Sequence, residues 1–398
     1  SETYMSKALM LFTNYYYFIG RYPEGLASAE RAFAMPGCTS EPEVSFLARI
    51  ASFLCLLRLG RLEEAMAAAL ETLELARAAG DRRQLGRVLA QVGFVAFEQS
   101  EPAAAGEYFS EALQIANELR DRKLQVRIFI NLALFETGVN CDYARAQEYY
   151  RKAVDVAREI GDRTMEAKAF GNLGFVVALQ GNFSEAKVHL ERALLSAREN
   201  SDLNSELLLL VNLSANAGIQ RQPALASQYA EQAIALAEKV GDMSGQAWGW
   251  MYLGYAQFAF ENVAGAQLSF ERSLRIRETL GQAALSMEPM AGLVDVGLRA
   301  GNDDLASRST ERILMHLQDG GTLNGTDEPL RVYHSCYRFL EKKQDPRSAR
   351  VLQDAIQMLD AQLSRLNDAR SRQMYVENVP WRLALRDAAM KSGSNLRT

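Results

Sequence analysis

Histidine is scarce in this chain, with three residues among 398: His189, His316 and His334. His189 stands between Lys187 and Glu191, so a solvated helix position is expected rather than a metal ligand. His334 and Cys336 lie two apart, which on a helix points them different ways and is poor metal geometry. Cysteine is equally sparse: Cys38, Cys55, Cys141 and Cys336 are far apart and form no CxxC. That usage excludes a disulfide framework and implies free thiols in a reducing, cytoplasmic compartment. Neither a signal-peptide pattern nor an uncharged apolar run of about 20 residues is read in the sequence, so no membrane span is expected. Basic charge is not in excess: the net charge is -5 and the pI near 5.6, against nucleic-acid binding by bulk electrostatics. The phosphate-loop pattern GxxxxGK[ST], and GxGxxG, GxSxG and HExxH, are all missing. Paired carboxylates such as Glu63-Glu64 fall near helix starts, where the helix dipole accounts for them. Catalysis, a cofactor and a bound metal are therefore not expected, and no catalytic residue is assigned.

What the chain does have is a long period. Thr13, Phe53, Gly93, Ala133, Gly174, Ser214, Gly254 and Val294 are separated by 40 residues, except for one step of 41. Gly25, Ala65, Ala105, Ala146, Ala186, Ala226, Ala266 and Ala306 repeat with the same single slip, and a third column passes through Ala112, Ala153, Ala193 and Ala233. Small residues returning at a fixed spacing mark close backbone approach once per structural unit, the sign of a solenoid. An array also explains how 398 residues, 48% of them hydrophobic, can form one lengthwise core without splitting into globular domains.

One unit, Thr164 to Leu203, reads as a helical hairpin. Ala169, Leu173, Val176 and Val177 recur at helical spacing, Gly181-Asn182 stops the first helix, and Ser184 is placed to cap the second. In that second helix Ala186, Leu190, Ala193, Leu194 and Ala197 form the apolar stripe. Gly80-Asp81, Gly161-Asp162 and Gly241-Asp242 mark the same stop between units, and no stretch alternates as a strand does.

Trp250, Leu253, Gly254, Ala266, Phe270 and Ser273 resemble the tetratricopeptide (TPR) pattern, as do Leu173, Gly174, Gly181, Phe183, Ala186, Leu190 and Ala193. The resemblance runs from about residue 4 to 318, but the units are 40 long rather than the usual 34. The extra residues fall at the end of the second helix, as in Ala112 to Leu119. The resemblance implies an all-α, right-handed superhelical solenoid of about eight to nine hairpins with a C-terminal capping helix. Residues 1–318 form the array, 319–328 a glycine-rich loop containing Asp319-Gly320-Gly321, and 329–398 a degenerate ninth hairpin and cap. A last helix around Val379 to Met390, carrying Trp381, is expected to cover the open end. Arrays of this long type are similar to TPR sensors of bacterial multidomain signal-transduction regulators. The family also includes quorum-sensing peptide receptors and cargo or polarity adaptors.

In such a stack the first helix of each hairpin lines the concave wall. Phe94, Phe97, Phe175, Tyr255 and Phe258 then face inward as an apolar floor, unless neighbouring helices cover them. Beside them runs an amide ladder, Asn131, Asn172 and Asn212, preceded by Gln91. Asparagine is a poor helix former, so three at one register need a reason. Either they tie neighbouring helices together or they hold the backbone of an extended ligand, since an amide offers two donors and an acceptor. Arg87, Arg127 and Lys168 stand one helical turn earlier as a basic stripe.

These features imply a non-catalytic sensor or scaffold that binds a protein or peptide partner, or a small inducer, in its groove. No nucleic acid or membrane partner is implied. The chain opens at Ser1 without methionine and directly in helical pattern, so the C-terminal part of a larger bacterial signalling or transcription regulator is the expectation. A free-standing TPR adaptor bridging partner proteins is the alternative.

Overall fold

Twenty α-helices occupy most of the described residues of the computed structural model, namely 2–18, 21–35, 42–59, 61–98, 101–140, 142–323, 325–366 and 368–391; none of these residues is in a strand. The first four hairpins are α1 (Glu2–Phe18) with α2 (Tyr22–Phe33), α3 (Pro42–Arg58) with α4 (Leu62–Ala79), α5 (Arg82–Glu98) with α6 (Pro102–Glu118), and α7 (Arg122–Phe135) with α8 (Tyr143–Glu159). The next four are α9 (Arg163–Leu179) with α10 (Phe183–Glu199), α11 (Leu203–Ile219) with α12 (Pro223–Val240), α13 (Met243–Ala259) with α14 (Val263–Thr279), and α15 (Ala283–Ala300) with α16 (Asp303–Gln318). A ninth hairpin, α17 (Pro329–Lys342) with α18 (Arg347–Leu363), is followed by α19 (Ala369–Glu377) and α20 (Pro380–Lys391).

The glycine column marks where the two helices of a hairpin cross. A Cβ on Gly93 would lie 2.8 Å from the Phe109 ring, one on Gly174 2.9 Å from Leu190, and one on Gly254 2.8 Å from Phe270. Contacts that short are repulsive, so the crossing requires hydrogen at these sites. The alanine columns serve the same crossings from the other helix; Ala186, Ala193 and Ala266 are fully buried or nearly so. The single slip of one residue falls between Ala133 and Ala146, where the chain makes a π turn at Glu136–Asn140. A π turn holds one residue more than an α turn, so the insertion is absorbed without rotating the next helix out of register.

Acidic caps start the first helices. Asp121, Asp162, Asp202 and Asp242 accept the N–H of Leu124, Met165, Ser205 and Gly245 at 2.9 to 3.1 Å, satisfying an orphan donor at each helix start. Gly80, Gly161 and Gly241 take the left-handed conformation that the preceding helix stop demands. The cap of α10 is Asn182, whose Oδ1 accepts the Glu185 N–H at 3.4 Å; Ser184, expected in that role, lies inside the helix and is exposed. The helix starts earlier because Gly181 alone completes the turn.

The C-terminal cap reaches further than expected: α20 packs on α17 and α18 of the ninth hairpin, and α19 and α20 also bond back to the turn between α9 and α10. Asn378 Nδ2 donates to Gly181 O at 2.9 Å and Arg382 Nη1 to Leu179 O at 3.1 Å. Tyr375 stacks on Tyr143 of α8 with ring centroids 6.3 Å apart. The cause is an apolar stripe of Tyr375, Val376, Val379, Trp381, Leu385 and Ala389, all buried in one core with Val177 and Leu213 of the array. Each large side chain so covered contributes about 1.5–3 kcal/mol relative to exposure, and the inner wall is where matching apolar surface lies. Of the cysteines, Cys55 and Cys336 are buried free thiols, with Cys55 pushed up to about 12 by burial; Cys38 and Cys141 lie outside the described residues.

Candidate functional site

The first helices carry the candidate residues, and the structure divides them into two groups. In α5, α7 and α9 the basic stripe is unequal. Arg87 is committed to the array: its Nη1 lies 3.0 Å from Glu43 Oε1 of α3. Arg127 is exposed to solvent and makes no ion pair or hydrogen bond among the described residues. Desolvation by the surrounding protein, and then the neighbouring Arg87 charge, lower its pKa from the ordinary arginine value. Lys168 is exposed one repeat further on. The amide ladder also splits. Asn131 Nδ2 donates to Ala90 O of α5 at 3.0 Å, so this amide ties first helices together. Asn172 and Asn212 are half-buried, and their side chains make no hydrogen bond among the described residues. Phe94 and Phe97 are half-buried in an aromatic row, with Phe97 and Phe135 centroids 6.3 Å apart.

The second group borders a cavity of about 180 Å³ between the inner wall and the tail. Phe175 and Leu179 of α9, Asn212 and Ile219 of α11, and Tyr255 and Phe258 of α13 form its walls. Pro380 and Trp381 of α20, with Asp327, Glu328 and Arg331 at the entry to α17, form its roof. Tyr255 is buried more deeply than a groove residue: its Oη donates to Glu288 O at 3.2 Å and its ring meets Phe270 edge-on at 4.8 Å.

The roof is held by a buried charge network that sequence reasoning missed. Glu288 of α15 accepts the backbone N–H of Asp327 at 3.1 Å and of Glu328 at 3.2 Å. Asp327 accepts the Tyr252 hydroxyl. Glu328 accepts Arg382 Nη2 at 2.6 Å and Trp381 Nε1 at 3.0 Å. Burial beside other carboxylates pushes Glu288 up to about 8, with Asp327 its largest charged neighbour, and burial pushes Asp327 up to about 6. Arg331 stacks its guanidinium 3.3 Å from the Tyr255 ring centroid and 4.6 Å from that of Trp381. These residues have no period, so the only advance signal was an unusual tail carrying a tryptophan.

Little else suggests chemistry. Among the described residues no group of three or more His, Cys, Asp or Glu is placed to hold a metal ion. No helix among them is long and apolar enough to cross a membrane. His189 is packed rather than solvated, stacking on Phe170 with centroids 5.8 Å apart, because the second helix leans its flank on α9. Burial beside Arg338 and Arg331 pushes His334 down to about 4.

The family model described as tetratricopeptide repeat matches residues 124–199, which span α7 to α10. No curated protein matches the sequence. Among solved structures, the chain is similar to a Signal Transduction ATPase with Numerous Domains protein with a tetratricopeptide repeat sensor from Pyrococcus horikoshii. The identity is 16%, the TM-score 0.56, and the match covers 80% of this chain and 48% of that one. A Rap protein complexed with Competence and Sporulation Factor aligns at 13% identity and TM-score 0.55, over 88% of this chain and 99% of that one. The human IFIT1 dimer with m7Gppp-AAAA gives 13% and 0.55, over 98% and 90%. Likeness at these identities is one of fold. Together with the repeat match over residues 124–199 and the stacked hairpins, it gives this chain the fold of tetratricopeptide repeat proteins, an all-α solenoid of consecutive helical hairpins.

Proposed function

We propose that this chain is a non-catalytic binding module, a sensor or scaffold that holds an extended acidic segment of a partner protein along its inner wall. The observation that carries the reading is the pairing of a free cation with an open amide: Arg127 without an ion pair, and Asn172 without a hydrogen bond, on adjacent first helices. A polar group held half-buried and unpaired has an unfavourable environment that a ligand relieves. Charge placed inside a concavity also attracts an anion more strongly than the same charge on a convex surface. The fold does not select the ligand, since similar arrays are complexed with Competence and Sporulation Factor in one case and m7Gppp-AAAA in another.

The finer reading is the sensor part of a larger bacterial signalling or transcription regulator, supported by the likeness to the Pyrococcus horikoshii protein with a tetratricopeptide repeat sensor. The alternative, a free-standing adaptor, is favoured by alignment over 99% of the Rap chain. A natural reading frame with an upstream phosphate-loop ATPase decides for the first, and one without it for the second.

Fluorescence anisotropy with extended peptides of alternating Glu and Ala, and of alternating Lys and Ala, tests the binding reading. The acidic peptide is expected to bind, more weakly as salt rises. Equal affinity for both peptides, or none for the acidic one, rejects it.

A further inference from the structure

The cavity under the tail is separate from the stripe of Arg127 and Asn172, which do not line it. Its polar groups can be accounted for one by one. The three lining carboxylates are all engaged inside the protein: Glu288 by two backbone N–H groups, Asp327 by Tyr252, and Glu328 by Trp381 and Arg382. None of these needs a ligand. Ser214, Asn216, Tyr252 and Tyr255 are engaged as well, donating to Ala226 O, Phe183 O, Asp327 and Glu288 O, which leaves one amide, with two donors and an acceptor, and two arginines. Asn212 is half-buried and makes no side-chain hydrogen bond among the described residues. Arg331 is held by two aromatic faces, and its guanidinium makes no hydrogen bond or ion pair among them. Arg221 stands exposed at the mouth, also unpaired among them. Stacking on Tyr255 and Trp381 fixes the plane of Arg331 while leaving its N–H edge available, the arrangement that suits planar recognition of a carboxylate.

The rest of the lining is apolar or aromatic, and the volume of about 180 Å³ is that of a ring-sized molecule; an apolar cavity of roughly 150 Å³ is enough to hold benzene. We infer that this cavity binds a compact organic carboxylate with a flat or branched apolar body, its carboxylate on Arg331 and Asn212 and its body between Phe175, Ile219, Phe258 and Trp381. Because the walls come from α9, α11 and α13 in the middle of the chain and the roof from the C-terminal segment, the bound acid bridges array and tail and holds them together. A ligand contacting both sides stabilises the docked tail by its own binding free energy, which makes the site a sensor of small acids independent of any peptide on the open wall.

The test uses the whole chain with phenylacetate, indole-3-acetate and 4-methylvalerate as probes, and phenethylammonium as the charge-reversed control, read by calorimetry and thermal shift. At least one acid is expected to bind with a dissociation constant of roughly 1 mM or tighter, raising the thermal midpoint, while phenethylammonium does not. Arg331→Gln should weaken the acid about tenfold or more. Gly218→Leu is the blocking variant. Gly218 lines the cavity in the last turn of α11, and a Cβ there meets nothing within 4 Å. A side chain therefore starts there without a clash, and a leucine is expected to extend into the cavity, so the variant should unfold at the parent's urea midpoint, which is checked first, while losing binding at least tenfold. Asn172→Ala should leave acid binding unchanged, which separates failure here from failure of the peptide reading. The inference is overturned if none of the three acids binds at millimolar concentration, if phenethylammonium binds equally well, or if Gly218→Leu retains the affinity.

Discussion

Gly161 and Gly181 offer a matched pair that isolates the docking of the tail. Both stand at the end of a helix with positive φ, 69° and 83°, so replacing either with alanine incurs the left-handed strain of a residue with a Cβ, about 1–2 kcal/mol. Beyond that the two differ. A Cβ on Gly161 meets nothing within 4 Å, whereas one on Gly181 lies 2.5 Å from Met374 O and 3.0 Å from its carbonyl carbon. Relieving that overlap moves the start of the tail by about an ångström, enough to break hydrogen bonds whose useful range is a few tenths of that. Asn378 Nδ2 to Gly181 O and Arg382 Nη1 to Leu179 O are the bonds at stake. A neutral bond contributes about 0.5–1.5 kcal/mol and one from a charged donor about 1.5–3. Gly181→Ala should therefore cost roughly 2–4 kcal/mol more than Gly161→Ala. Urea unfolding of both variants, with hydrogen exchange over α19 and α20, reads the difference and where it falls. Equal midpoints, with no faster exchange in α20 of Gly181→Ala, would refute the docking argument.

Arg382 is 2% exposed and joins Glu328, Leu179 O and Tyr375 O. Arg382→Ala should cost about 3–5 kcal/mol, since it leaves a buried carboxylate without its cation; a urea midpoint near the parent's contradicts this. The pair Glu288 and Asp327 holds protons in the folded chain, up to about 8 and about 6, that the unfolded chain has released from ordinary values of 4.5 and 3.8. Stability from this pair is present at low pH and lost as pH rises through those folded values. His334, pushed down from 6.5 to about 4, acts with the opposite sign below 6.5, so the test window is pH 6.5 to 8. Denaturant midpoints should fall across it, and Glu288→Gln should flatten the fall; an unchanged slope counts against the network. Ala186→Leu or Ala193→Leu, at fully buried crossings, should cost roughly 1–3 kcal/mol by overpacking, measured by urea unfolding.

The array was legible because its determinants repeat. Gly93, Gly174 and Gly254 each announce a crossing that admits no side chain, and Gly161-Asp162 and Gly241-Asp242 each announce a stop between units, although the role of Asp162 and Asp242 as caps of the next helix came only with the structure. The slip of one residue was visible too, although only the structure shows that a π turn at Glu136–Asn140 absorbs it. The last helix was legible, Val379 to Met390 against α20 at Pro380–Lys391, but its contacts with the array were not, since they join residues about 200 apart, Asn378 to Gly181 and Arg382 to Leu179, and occur once each. A periodic reading also places Asn131, Asn172 and Asn212 at one register without telling which amide is taken. Asn131 reaches Ala90 O, while its two counterparts have no such bond among the described residues. Arg87 and Arg127 differ for the same reason, Glu43 standing opposite only the first.

The most direct measurement on the central claim is the charge preference of Arg127→Glu, read by anisotropy against the same acidic and basic extended peptides. Arg127 has no ion pair among the described residues to lose, so stability should stay within about 0.5 kcal/mol of the parent. The account predicts that affinity for the acidic peptide falls at least tenfold and its salt dependence flattens, while the basic peptide gains. An acidic peptide bound as tightly, and with the same salt dependence, by Arg127→Glu as by the parent would contradict it.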